Sequence, residues 1–104
     1  MSDRLKTQLT VNHSPVSLTE FANKYITSVV IGAVSNLKGG SDINTLDFKF
    51  EDNETVLIIN EAVIPLIPFI KTALTRVIIG LVSSLKGMDR IDMIHLNLTK
   101  VDAD

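Results

Sequence analysis

Apolar and polar residues follow two alternating rhythms along this chain, and each rhythm names an element. Leu5, Thr7, Leu9 and Val11 alternate with Lys6, Gln8, Thr10 and Asn12, the period of two expected of a half-buried strand. The rhythm then lengthens. Leu18, Phe21, Ala22, Tyr25, Val29, Val30, Ala33 and Leu37 form one broad apolar stripe at helical spacing. Ahead of it, Ser17-Leu18-Thr19-Glu20 reads as a capping box, a hydroxyl and a carboxylate serving the first free amides. Lys38-Gly39 predicts the helix stop, with a cation at the carbonyl end and a glycine suited to a left-handed turn. Period two returns where Leu46, Phe48 and Phe50 alternate with Thr45, Asp47, Lys49 and Glu51. The cycle then repeats: a strand over residues 55–60, a helix over 66–86 and a strand over 91–99, with Pro65 and Pro68 replacing the capping box.

The recurrence extends to residue identity. Residues 26–39 and 74–87 share nine of 14 positions. At the same 48-residue offset Thr7 matches Thr55, Leu9 matches Leu57, Asn12 matches Asn60, Leu18 matches Leu66, Phe21 matches Phe69 and Ile43 matches Ile91. A fixed period of this length points to a duplicated unit that folds twice. The expectation is one domain over residues 1–104, made of a unit over about 5–52 and a second over about 53–100. Where they meet, Asp52-Asn53 suits a two-residue turn, since both residue types tolerate positive φ. That turn pairs Phe50 with Thr55, Phe48 with Leu57 and Leu46 with Ile59, which keeps the apolar positions on one face.

A β-α-β-β-α-β order with a tight central hairpin resembles the ferredoxin-like fold in topology over roughly residues 5–100. The resemblance implies an α+β sandwich: a four-stranded antiparallel sheet of order 4-1-3-2 with two helices on one face. Exchange of strands between two chains is the alternative arrangement.

Composition narrows the function classes. Hydrophobic residues make up 45% and charged residues 21%, as in globular chains. Ten basic against twelve acidic residues leave a net charge of −2, without the electrostatic footprint of a nucleic-acid binder. The absence of cysteine removes disulfides, thiolate metal sites and cysteine nucleophiles. The start, MSDRLKTQLTV, has no apolar core of the secretory kind, and the uncharged run from Tyr25 to Leu37 is too short to span a membrane. The expectation is a soluble, cytoplasmic protein without a membrane partner.

The fold's familiar activities each require a motif that this chain lacks. RNA-recognition domains stack bases on aromatics of the central strands, where the expected arrangement puts Gln8, Thr10, Val56 and Ile58. Metal carriers need Cys-x-x-Cys. Acylphosphatase-like members need an arginine-bearing, glycine-rich loop, and Asn12-His13-Ser14-Pro15-Val16-Ser17 has neither residue type. Nitrogen-regulatory signal proteins need a long loop between the middle strands. His13 and His95 have no partners at metal spacing, and Asp89, Asp92, Asp102 and Asp104 read as solvated carboxylates, so neither metal nor cofactor is expected.

Surface candidates remain. Gly32 and Gly80 occupy equivalent mid-helix positions, which suggests close packing where the two helices cross, or a ligand gap between them. Ile31 and Ile79 fall on a line with Thr27, Ser35, Thr75 and Ser83, expected to face outward, and could seed a subunit contact. The open sheet face is expected to carry Val56, Ile58, Met93 and His95 among polar neighbours. The last strand, as the less charged edge, is the better candidate for pairing with a second chain. Asn12 and Asn60 read as turn residues. Two functions follow. The preferred one is a non-catalytic binding or assembly module that forms a homo-oligomer, most simply a dimer. The other is a small enzyme or ligand sensor with a pocket at a subunit boundary, using His95 or His13 on a small molecule.

Overall fold

The computed structural model describes residues 4–85 and 87–101. Lys86, at the end of the expected second helix, and Asp102 and Asp104 lie outside the described residues. Eight elements follow in order: β1 (Arg4–Val11), β2 (Ser14–Val16), α1 (Glu20–Val34), β3 (Thr45–Glu51), β4 (Glu54–Ile59), β5 (Ala62–Val63), α2 (Pro68–Ser83) and β6 (Met93–Val101). The strands form one antiparallel sheet of order β2-β1-β6-β3-β4-β5, with both helices on one face.

This order corrects the ferredoxin-like expectation. Numbering only the four long strands, the sheet runs 1-4-2-3 rather than 4-1-3-2. The second strand of each half, not the first, takes the centre. Side-chain bulk gives the reason. Leu46 and Phe48 on β3, and Ile94, Leu96 and Leu98 on β6, are buried to within 1% of full enclosure. The first strands carry a buried threonine, Thr7 within β1 and Thr55 near the start of β4, which fits flanks where a helix side chain can satisfy the hydroxyl. The heaviest apolar rows thus sit where burial is deepest.

Three tight turns share one chemistry. Asn12-His13, Asp52-Asn53 and Asn60-Glu61 each hold two consecutive residues at φ between 50° and 69°, the conformation of a type I′ hairpin turn. The central turn sets the expected register, pairing Phe50 with Thr55, Phe48 with Leu57 and Leu46 with Ile59. The outer two turns create β2 and β5, short strands unforeseen from the apolar rhythm. They form the sheet edges, and their brevity, with Pro15 inside β2, leaves little to recruit another strand. The last strand is therefore no edge: β6 lies between β1 and β3.

The helices also begin and end differently from expectation. Thr19, not Ser17, caps α1, its hydroxyl accepting the Ala22 amide at 3.1 Å. Both helices stop before the Leu-Lys-Gly segments, at Val34 and Ser83. Gly39 and Gly87 then supply positive φ of 88° and 87° in the following turns. Their inner face is a narrow aliphatic row, Ile26, Val30 and Val34 on α1 and Leu74, Ile78 and Val82 on α2.

Candidate functional site

Rotation of each helix about its axis decides what remains outside. The polar line through Thr27 and Thr75 turns toward the sheet. Thr27 donates to the Asn23 carbonyl at 2.7 Å, leaving the Thr7 hydroxyl to bond Thr27. Thr55 and Thr75 make the matching contact at 2.6 Å. Asn23 also bonds both backbone groups of Thr7, closing a stretch of β1 that β2 is too short to cover. Ile31 and Ile79, on the same inward-turned line, are half-buried against the core rather than outward-facing.

The opposite consequence falls on the aromatics. Phe21 and Tyr25, which periodicity places in the apolar stripe, and Phe69, the repeat equivalent of Phe21, are 76%, 55% and 73% exposed. Phe21 and Tyr25 stack with ring centroids 5.9 Å apart. They line a groove of about 490 Å³ between the helices, whose other wall includes Val77, Gly80 and Ser84. The start of α1 thus lies beside the end of α2, so the helices run in opposite directions. Among the described residues, Arg76 is the one charged side chain lining this groove.

Gly32 and Gly80 are not drawn together by a helix crossing. A Cβ built on either meets nothing within 4 Å, and both positions are exposed. A helix-interior glycine costs about 1 kcal/mol relative to alanine, and packing within the chain gives no return for it. The outer helical layer therefore has relief. Each helix is high at its aromatic beginning and low at its glycine, and antiparallel placement sets one helix's high end beside the other's low end.

The second surface is the open face of the sheet. Val56, Lys49, His95 and Thr10 form one row across β4, β3, β6 and β1, and Val63, Ile58, Asp47, Asn97 and Gln8 form the next. His95 Nε2 donates to Asp47 Oδ1 at 3.0 Å, and Asn97 Nδ2 donates to the same oxygen at 3.0 Å. Thr99 in turn donates to Asn97 Oδ1 at 2.8 Å. Partial burial alone would raise the Asp47 carboxyl. The hydrogen bonds from Asn97 and His95, with the charges of His95 and Lys49, outweigh it and hold Asp47 below its ordinary value of 3.8. Met93 lies beside Glu51 at the end of β3.

The structure therefore groups Val56, Ile58 and His95 on one face and leaves Ile31 and Ile79 in the other layer. Asp47, the carboxylate beside His95, and Val63, which extends the Val56–Ile58 patch, were not singled out by the sequence. The signal for Asp47 was the 48-residue offset, since Asp47 and His95 occupy equivalent positions; Val63 carried no such signal. His13 sits in the Asn12-His13 turn, beyond the end of β1. Among the described residues, no group of three or more histidine, aspartate or glutamate side chains converges as metal ligands, and no helix is long and apolar enough to cross a membrane. No protein-family model, curated protein or solved structure matches the chain.

Proposed function

We propose that this chain is a non-catalytic assembly module that works by docking its outer helical layer onto an apolar partner surface. The observation that carries this reading is the exposure of Phe21, Tyr25 and Phe69 on that single layer. At ~200 Å² for a fully exposed aromatic residue, their combined exposure is about 400 Å², divided between the Phe21–Tyr25 end of α1 and the Phe69 end of α2. Exposed apolar area of that order on one layer is often functional. The support expected from outward isoleucines and an open last strand has gone, and the aromatics take its place. The test replaces Phe69 in the cell with a photo-crosslinking phenylalanine analogue. A discrete protein adduct on irradiation is the expected result; an uncrosslinked chain would sink the reading.

A second reading, a small enzyme or ligand sensor using His95, draws support from its 3.0 Å contact with Asp47. Against it, Asp47 is already engaged by Asn97, and the cavity beside His95, Lys49 and Met93 is small, about 110 Å³. A pH-dependent ligand effect abolished by His95→Ala would revive it.

A further inference from the structure

Resting on the docking-layer reading, we infer that the occupant of this layer is a second copy of the chain, seated face to face about a twofold axis lying in the interface. The relief is what selects it. High ends carry Phe21 and Tyr25 on α1 and Phe69 on α2; low ends carry Gly32 on α1 and Gly80 on α2. Because the helices are antiparallel, high and low ends alternate like the squares of a chequerboard. Such a pattern is its own complement. Turning a second copy over about an axis along the helices sets the Phe21 end of one protomer over the Gly80 end of its partner. Turning it about the perpendicular in-plane axis sets the Phe21 end over the Gly32 end instead. Either rotation fills every low end with a high one, as an isologous contact requires.

Area points the same way. The three aromatics offer about half of the ~800 Å² that each partner contributes to a standard interface. The small residues and valines between them extend the surface across both helices. A lone helix laid in the groove would cover Val77 and Tyr25 yet leave Gly32 and Phe69 unmatched. A second copy covers both ends at once. The two open glycines then have a purpose: they let another backbone approach where any side chain would hold it off. The assembly is a four-layer stack, sheet, two helix pairs, sheet.

The test combines sedimentation velocity over a wide concentration range with the photo-crosslink at Phe69. The wild-type chain is expected to sediment as a dimer and to crosslink to a product of twice its mass. Gly32→Gln with Gly80→Gln should weaken the dimer roughly 100-fold, as when an interface centre is blocked. Because both positions are open within the chain, circular dichroism and thermal unfolding of the dilute monomer should show an undiminished fold. A dimer that survives both glutamines overturns the proposed fit. A monomer that crosslinks to a different protein overturns the second copy while leaving the docking layer standing. A monomer that crosslinks to nothing overturns both.

Discussion

Replacing Asn12 tests whether the two halves of the chain are tied by their hairpin asparagines. Asn12 Oδ1 accepts the backbone amides of Asp92 and Met93 at 2.8 and 2.9 Å, and Nδ2 donates to the Arg90 carbonyl at 2.8 Å. The Asn12 amide itself bonds the Met93 carbonyl at 3.0 Å. Asn60 repeats the set 48 residues on, bonding the amides of Asn44 and Thr45 and the carbonyl of Asp42. Each asparagine thus fastens the start of a central strand belonging to the other half. Asn12→Ala deletes three side-chain bonds, each worth ~0.5–1.5 kcal/mol net and toward the low end here because the site is exposed. It also places alanine at φ 50°, a further ~1 kcal/mol. The expected loss is about 3 kcal/mol, a large share of the ~5–15 kcal/mol that holds a domain together. Asn12→Gly removes the same bonds without the backbone strain and should lose about 2 kcal/mol. Urea unfolding at one fixed low protein concentration measures both, since association would add its own stability. If Asn12→Gly unfolds at the wild-type midpoint, the bonds contribute nothing and the tie is illusory.

Two further predictions follow from the sheet. Phe48 is fully enclosed at the centre, so Phe48→Ala should cost about 3–5 kcal/mol and leave a largely unfolded chain by circular dichroism; a cooperative wild-type melt would contradict the central placement of β3. Asp47 has a folded-state pKa below its unfolded value, so its contribution is fully present above the unfolded pKa and disappears as pH falls through the folded one. Acid unfolding below about pH 4 should therefore be shallower in Asp47→Asn than in wild type, and identical acid limbs would show that the His95–Asp47–Asn97 cluster is energetically idle.

The strands, the helices and the central hairpin register were legible because each rests on local information: an apolar period, a turn-forming dipeptide, a proline in a first helical turn. Sheet order was not, because it depends on which strand needs the deepest burial. The clue was present in Leu46, Phe48, Ile94, Leu96 and Leu98 set against Thr7 and Thr55, but only a comparison between strands exposes it. Helix rotation failed for a related reason. Each helix carries two apolar lines, and hydrophobicity alone favours the one with Phe21 and Tyr25. The row through Ile26, Val30 and Val34 won because Asn23 and Thr27 beside it complete the hydrogen bonding of Thr7. The candidate docking layer is hidden for the same reason, since helical period alone places Phe21 and Tyr25 in the stripe that faces the core. The short edge strands escaped because two or three residues carry no period at all.

The pairing of β1 with β6 joins Arg4 to Val101, and it sets a timetable for synthesis. Of these strands β1 is made first, and it has only the three-residue β2 for company until β6 emerges. No prefix of the chain can close the sheet, and a product truncated before β6 leaves β1 and β3 without the strand that lies between them. Ordering of this sheet therefore arrives late and all together, which makes it a slow folder for its size and leaves the nascent β1 with an exposed flank until β6 has been made.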